Sequence, residues 1–179
     1  MKIYLIGGKA RNGKDTFGNF LKEYYQSFNK KVCIMHISNY IKHYAIDYFG
    51  WDGKEETKPR SLLQELGTDI IREKMNMPYF FINRLKEDIL VLENFFDIAI
   101  ITDVRFPLEF DYIKKEYPDA VKIHITRPDY ISELTDKEKK HKTETALDTY
   151  NDYDYKVINR DLDDLENDAR KIVDMEEVK

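Results

Sequence analysis

The sequence predicts a three-layer α/β fold, in which helices cover both faces of a mainly parallel sheet of about five strands. Apolar runs alternate with amphipathic stretches along the whole chain, which is typical of this class. The run at 97–102 is almost continuously apolar rather than alternating, as expected for a strand covered on both faces. The first apolar run leads into a glycine-rich loop and then a helical pattern, so we expect right-handed parallel crossovers.

The individual elements follow from these patterns in chain order. We expect strands at 3–6, 31–37, 97–102, 120–126 and 155–159, with the run at 97–102 as the central strand. Helices are predicted at 14–28, at 40–48 after a cap at Ser38 or Asn39, from Pro59 to Arg72, at 79–93, at 107–116 and from Leu162 onward. The segment 129–149 is rich in charge and poor in apolar residues, so we expect it to form a mobile cover that builds no core.

Composition limits the function classes. The 179 residues predict a single domain, and the net charge of −5 argues against binding a nucleic-acid polymer. No apolar run approaches the ~20 residues that span a bilayer, and the N-terminus lacks the pattern of a signal peptide, so we expect a cytoplasmic protein without a membrane partner. The single Cys33 lies in an apolar run and is predicted to be a buried small hydrophobe.

A phosphate-binding loop is the strongest motif. Gly8, Gly13 and Lys14 match the G-x-x-x-x-G-K spacing between a predicted strand and a predicted helix. Backbone N–H groups of such a loop, the positive end of the following helix and the lysine all favour a phosphate. The residues predicted to bind the phosphates of a nucleotide are Gly8, Arg11, Asn12, Gly13, Lys14, Asp15 and Thr16.

Asp15 departs from the usual motif. A Ser or Thr normally follows the lysine and offers its hydroxyl to Mg²⁺, whereas here Thr16 comes one step later. The Asp15 carboxylate either replaces that hydroxyl or repels a phosphate oxygen. Asp15, Thr16 and Asp103 are the candidate Mg²⁺ ligands.

Asp103 follows a buried strand, where parallel sheets collect their ligands. It either holds Mg²⁺ through water, orients the acceptor or caps the helix that begins near Pro107. A second group of polar residues lies on one side of the predicted helix after Pro59: Arg60, Gln64, Thr68 and Arg72. The pattern alone fits either a solvated face or a binding surface.

Four segments together resemble the phage and bacterial deoxynucleoside monophosphate kinases. They are Gly-Lys-Asp-Thr at 13–16, the helix 60–72 with Leu-Gln-Glu-Leu-Gly-Thr, Thr-Asp-Val-Arg-Phe at 102–106, and His-Lys-Thr-Glu at 141–144. The resemblance covers nearly the whole chain and implies a P-loop kinase fold. It further implies a core of 1–37, 94–128 and 150–179, an acceptor-binding helical region at 38–93 and a lid at 129–149.

The resemblance also implies roles for individual residues. Arg60, Gln64 and Arg72 would face the acceptor nucleotide, and Asp103 and Arg105 would stand near the reacting phosphates. Arg127 would stack on adenine or reach phosphate, and Asn159 with Arg160 would lie near the adenine. Lys139, Lys140 and Lys142 either supply charge when the lid closes or form a solvated run, and His141 would pair with Glu144. Lys14, Asp103, Arg105 and Arg127 form the predicted catalytic set.

The expected activity is transfer of the γ-phosphoryl group of ATP to a (deoxy)nucleoside monophosphate, with ATP and Mg²⁺ as cofactors and a possible homodimer as the assembly. Animal phosphomevalonate kinases look similar at Gly-Lys-Asp and Thr-Asp-Val-Arg. A kinase of a non-nucleotide acceptor, such as phosphomevalonate or dephospho-coenzyme A, therefore stays open. The third hypothesis is a nucleotide-binding switch without catalysis, which the unusual Asp15 in the phosphate loop would fit.

Overall fold

The computed structural model of the protein describes residues 1–178 and contains one five-stranded parallel sheet in the order β2-β3-β1-β4-β5. The strands are β1 (Lys2–Gly7), β2 (Val32–Met35), β3 (Ile98–Val104), β4 (Val121–Thr126) and β5 (Tyr155–Ile158). The predicted strands and their parallel arrangement are confirmed. The strand that precedes the phosphate loop, β1, is the central one, whereas the acid-bearing β3 lies beside it; the prediction that β3 is central is wrong.

Helices cover both faces of the sheet, as predicted. Helices α1 (Lys14–Ser27) and α8 (Leu162–Glu177) pack on one face. Helices α2 (Asn39–Phe49), α4 (Phe80–Leu92) and α5 (Pro107–Glu116) cover the other, together with the helix that begins as α3 (Arg60–Gln64). Alternate residues of β1 serve the two cores: Ile3 and Leu5 face one, and Tyr4 and Ile6 face the other.

The helix that starts at Arg60 changes its geometry after one turn. Residues Glu65–Lys74 form a π-helix with wider turns than an α-helix, and this stretch continues directly from α3. Ile71 is buried in the core, and Leu63 and Leu66 pack against it, so the predicted apolar side of this helix is confirmed. The π-helical geometry was not predicted.

The segment 129–149 packs more closely than its composition suggested. It contains two short helices, α6 (Asp136–Lys140) and α7 (Lys142–Thr145). Leu147 is 8 % exposed and belongs to the core that α2, α4 and α5 cover. The prediction that this segment builds no core is therefore wrong at Leu147, because a single apolar side chain in a polar segment carries no periodic signal.

Two smaller expectations also needed correction. Cys33 is half-buried rather than fully buried, and burial raises the pKa of its thiol. Leu162 begins α8 but is exposed, whereas Leu165, Ala169, Ile172 and Val173 face the sheet as predicted. Among residues 1–178, no helix has the length and apolar character needed to cross a membrane.

Candidate active site

The loop between β1 and α1 turns sharply at the carboxyl end of the central strand. Gly8 and Gly13 have φ angles of 143° and 93°, and Arg11 also lies in the left-handed region at 58°. Two asparagines fix the loop: the Asn12 amide donates to the Ile125 carbonyl at 2.9 Å, and the Asn159 amide donates to the Asn12 carbonyl at 3.0 Å. Asn159 therefore anchors the loop from β5, a role that its predicted place near adenine did not include.

Lys14 lies at the first position of α1 and is almost completely buried. Its ammonium group donates to the Lys9 carbonyl at 2.7 Å across the loop. Burial, followed by the nearby Arg105 guanidinium, lowers the pKa of Lys14 to about 7. Glu144, Asp15 and Asp103 act in the opposite direction but do not offset burial, and a phosphate beside Lys14 would favour the charged form.

Asp15, next in the chain, has a largely exposed side chain that lines a cavity beside the phosphate loop. His36 Nε2 lies 3.5 Å from its Oδ1, and the Thr102 hydroxyl donates to the same oxygen. The hydrogen bond to His36 is the largest cause that holds the pKa of Asp15 well below its usual range, and the bond to Thr102 adds to it. Asp15 is therefore an anion at any physiological pH. His36, which follows β2, and Thr102 of β3 hold its side chain in place.

Asp103 does not cap α5, since Phe106 occupies the cap position there. Its two carboxylate oxygens accept from the backbone amides of Ile37 and Ser38, at 2.8 and 2.9 Å. Asp103 thus ties the end of β3 to the turn that starts α2, while it also lines the cavity beside Lys14. The capping alternative is wrong.

Arg105 reaches from the end of β3 to the phosphate loop. Its guanidinium donates to the Gly8 carbonyl at 3.1 Å and to Glu144 Oε1 at 2.8 Å. The other oxygen of Glu144 accepts from the Ala10 amide of the loop at 2.8 Å. Glu144 therefore connects α7, the loop and Arg105, whereas the predicted pairing of Glu144 with His141 is wrong. His141 instead lies 3.2 Å from Asp69.

The four polar residues of the helix that starts at Arg60 all line one cavity of about 380 Å³, together with Lys14, Asp15, Asp103 and Arg105. Arg60 pairs with Glu55 at 2.7 Å, and the Gln64 amide donates to the Thr143 hydroxyl at 3.2 Å. The binding-surface reading of this side of the helix is thus favoured over a wholly solvated face, because these side chains surround a concavity next to the phosphate loop.

Glu109 is a residue of this cavity that the sequence did not single out. Its carboxylate is buried and accepts from Arg72 at 2.6 Å and from the Arg105 and Phe106 amides at 2.8 and 3.1 Å. Burial raises the pKa of Glu109, and the Arg72 guanidinium and the Arg105 and Phe106 amides oppose that rise. The sequence signal for Glu109 was its place at the third position of α5, just after Thr-Asp-Val-Arg-Phe. A Glu at that position often accepts from the backbone N–H of the cap residue.

A second cavity, of about 680 Å³, opens on the other side of the phosphate loop. Thr16, Arg127 and Asn159 line it, together with the start of α8. The Arg127 guanidinium lies 5.2 Å from the Tyr130 ring. Lys142 pairs with Glu73, outside both cavities, and neither Lys139 nor Lys140 lines them.

The two cavities meet at the loop. Arg11, Lys14 and Asp15 line both of them. Two ligands bound on the two sides would therefore bring their phosphates to the same buried lysine.

Comparison with known proteins agrees with this geometry. A family model described as deoxynucleotide monophosphate kinase matches residues 27–171. The chain belongs to this family. It is 33% identical over 177 residues to a protein of Acanthamoeba polyphaga mimivirus, whose own assignment as a deoxynucleotide monophosphate kinase is provisional, and the match covers 88% of this chain and 87% of that protein.

The fold of this family member is also similar to that of a solved kinase. The crystal structure of shikimate kinase from Aquifex aeolicus matches over 99% of both chains with a TM-score of 0.50 and 15% identity. At that identity the likeness concerns the fold alone, and it supports the predicted P-loop kinase architecture.

Kinases of this fold class typically use a divalent metal, and the donor set here suits Mg²⁺. Among residues 1–178, no three His, Cys, Asp or Glu side chains cluster closely enough to hold an ion by themselves. Mg²⁺ needs no such cluster, because it keeps several waters and is bound by one or two carboxylates together with substrate phosphates. Asp15 offers an exposed carboxylate between the two cavities, and Asp103 lies in the same cavity, whereas Thr16 lines only the second one.

Proposed function

We propose that the chain transfers the γ-phosphoryl group of ATP to the phosphate of a deoxynucleoside monophosphate, which gives the deoxynucleoside diphosphate and ADP. The observation that supports it most is the meeting of two cavities at Lys14 and Asp15. Transfer between two phosphorylated ligands requires both phosphates at one point, and the buried Lys14 lies at that point.

ATP is assigned to the cavity lined by Thr16, Arg127 and Asn159, and the acceptor to the cavity lined by Arg60, Gln64 and Arg72. The cavity assigned to ATP lies at the start of α1, where the helix dipole favours the phosphates of a triphosphate. The cavity assigned to the acceptor is lined in large part by the helical region 38–93. Membership of the deoxynucleotide monophosphate kinase family supports a nucleotide as the acceptor.

The chemistry needs charge neutralisation and alignment more than acid–base catalysis. The acceptor phosphate is largely ionised at neutral pH, so one of its oxygens attacks the γ-phosphorus as the bond to ADP breaks. Lys14 and Arg11 line both cavities, and Arg105 lines the acceptor cavity, where Glu144 holds it against the loop. Mg²⁺, when bound with Asp15 and Asp103 nearby, supplies further neutralisation of the triphosphate.

An acceptor panel tests the reaction. ADP release is measured with each deoxynucleoside and ribonucleoside monophosphate, and with phosphomevalonate and dephospho-coenzyme A. Turnover with deoxynucleoside monophosphates supports the proposal. Turnover only with a non-nucleotide, or ATP binding without turnover on any of these acceptors, contradicts it and favours one of the other two readings.

Arg60 provides a test of the acceptor cavity. Arg60→Ala should raise the acceptor KM about 10- to 100-fold, since a charge-assisted hydrogen bond is lost, while the ATP KM changes little. Arg170→Ala is the matched control, because Arg170 is half-exposed on α8 and pairs only locally with Glu166. Equal changes in both KM values would contradict the assignment of the cavity.

A further inference from the structure

Two residues that line the cavity assigned to the acceptor each have a buried polar side-chain atom with no hydrogen-bond partner among residues 1–178. The Thr68 hydroxyl and Arg72 Nε are both buried and unpaired. Thr68 is 2 % exposed and the Arg72 side chain 9 % exposed, yet both residues line the cavity. A buried donor without a partner destabilises the protein, so a ligand or an ordered water that completes these bonds is expected.

The Arg72 guanidinium is held in one orientation by its neighbours. Its guanidinium lies 5.0 Å from the Phe81 ring and 4.6 Å from the Phe106 ring. Nη1 donates to the Gly67 carbonyl at 2.9 Å, and Nη2 donates to Glu109 at 2.6 Å. With both terminal nitrogens bonded and the plane fixed by two rings, Nε–H remains as a donor of fixed direction.

The charge of Arg72 is already neutralised. Glu109 is buried beside it and accepts only N–H donors, so the pair presents no net charge to the cavity. A phosphate dianion gains little from such a pair. A neutral carbonyl oxygen or ring nitrogen, by contrast, needs only a directed donor.

The remaining cations of the cavity lie elsewhere. Lys14, Arg11 and Arg105 adjoin the phosphate loop, Lys58 and Arg60 lie at the start of the helix that leads to Thr68, and Lys42 lies on α2. The surroundings of Arg72 are apolar, since the Phe81 and Phe106 rings lie against its guanidinium and Ile41 lies beside Gly67. A charged end and an apolar end with a few fixed polar atoms match the two ends of a nucleotide.

We propose that Thr68 and Arg72 bind the heterocyclic base of the acceptor, not its phosphate, and that the Thr68 hydroxyl contributes to base discrimination. This inference rests on the proposed function, and it assigns Arg72 a neutral hydrogen-bonding task that its charge alone would not suggest. Glu109 acts through Arg72 as a positioning residue.

The test compares complete acceptors with one that lacks a base. Binding of the four deoxynucleoside monophosphates and of deoxyribose 5-phosphate is measured by calorimetry for the wild-type protein, Thr68→Val and Thr68→Ser. Thr68→Val should weaken binding of at least one deoxynucleoside monophosphate about 3- to 10-fold, which corresponds to one hydrogen bond, and leave deoxyribose 5-phosphate unchanged. Thr68→Ser, which keeps the hydroxyl, should bind like the wild type.

Thermal unfolding separates this role from a structural one. Because the hydroxyl has no partner in the protein, Thr68→Val should have the same Tm as the wild type or a higher one. A lower Tm with unchanged binding would show a structural role and overturn the inference.

Equal weakening of all probes, or of none, also overturns it. If the wild-type protein binds deoxynucleoside monophosphates and Thr68→Val binds them with the same affinity, only this inference fails. If the wild type binds none of them, the proposed function fails with it.

Discussion

The buried environment of Lys14 disfavours its positive charge. Burial lowers its pKa to about 7, whereas the same side chain has a pKa near 10.4 in the unfolded chain. Between these two values the unfolded state binds more protons than the folded state, so the free energy of unfolding rises with pH across about pH 7 to 10.5. The burial penalty is therefore fully present below pH 7 and disappears above pH 10.5.

Nucleotide binding should reverse this shift. At pH 8 the free protein holds Lys14 mostly neutral, and a bound triphosphate favours the ammonium form, so ATP binding should take up close to one proton. Calorimetry in buffers of different ionisation enthalpy measures that uptake. Lys14→Met should remove it and lower kcat at least about 100-fold without unfolding the protein. Uptake that persists in the variant would assign the proton to another group.

Asp15 and Thr16 are alternative candidate ligands of Mg²⁺, and substitutions at the two positions distinguish them. If Asp15 is the ligand, Asp15→Asn should raise the Mg²⁺ concentration for half-maximal activity about tenfold or more, because a carboxylate binds Mg²⁺ more strongly than an amide. Thr16→Val should then have little effect on that concentration. The reverse result would restore the usual hydroxyl ligand, displaced by one position, and leave Asp15 as a partner of His36 and Thr102.

At the scale of the element, α7 is attached to the phosphate loop by one side chain. Glu144 is buried and bonds to Ala10 and Arg105, although it comes from a helix of only four residues. Neighbouring contacts are weaker, since Lys142–Glu73 and His141–Asp69 lie at the surface. Lys9–Asp148 and Arg11–Glu133 also join the segment 129–149 to the loop, but their side chains are exposed, so Glu144 supplies the buried connection.

Glu144→Gln tests this connection. A glutamine fits the same space but offers one oxygen and one NH₂ group to two donors, so either Ala10 or Arg105 loses its acceptor. We expect kcat to fall about tenfold and Tm to fall by about 3–10 °C, from a loss of about 1.5–3 kcal/mol. Glu138→Gln is the matched control in the same segment, because Glu138 bonds only to Thr135. Similar losses in both variants would indicate general weakening of the lid instead.

At the scale of the whole molecule, the loop and the sheet approach too closely for any side chain at Gly8. A Cβ there would lie 2.3 Å from the Ile125 carbonyl oxygen, and φ is 143°. Gly8→Ala should therefore destabilise the fold by at least about 3 kcal/mol. Gly50→Ala also places alanine at positive φ, but nothing lies within 4 Å, so about 1–2 kcal/mol is expected. Equal losses in chemical denaturation would show that strain in φ, not the contact, decides.

The architecture was largely predictable because its signals are local. Continuous apolar runs marked the buried parallel strands, and Gly8, Gly13 and Lys14 marked the turn from β1 to α1. The polar side of the helix from Arg60 was visible from its spacing, and it lines a cavity even though part of that helix is π-helical.

What escaped prediction depends on contacts between distant parts of the chain. Glu144 is 134 residues from Ala10, and Glu109 is 37 residues from Arg72, so no spacing rule links them. A π-helix has no distinct composition, and its wider turns emerged only from packing. The charge neutralisation of Arg72 likewise depends on its contact with Glu109, which the sequence marks only as a capping residue of α5.

The position of β1 has a consequence for the order in which parts of the molecule open. This strand is hydrogen-bonded on both sides, to β3 and to β4, while α6 and α7 have five and four residues. Amide hydrogens of β1 should exchange with solvent only when the whole molecule unfolds, whereas those of the lid should exchange through local opening. Local opening of the segment 129–149 should therefore leave the phosphate loop, which follows directly on β1, in its folded conformation.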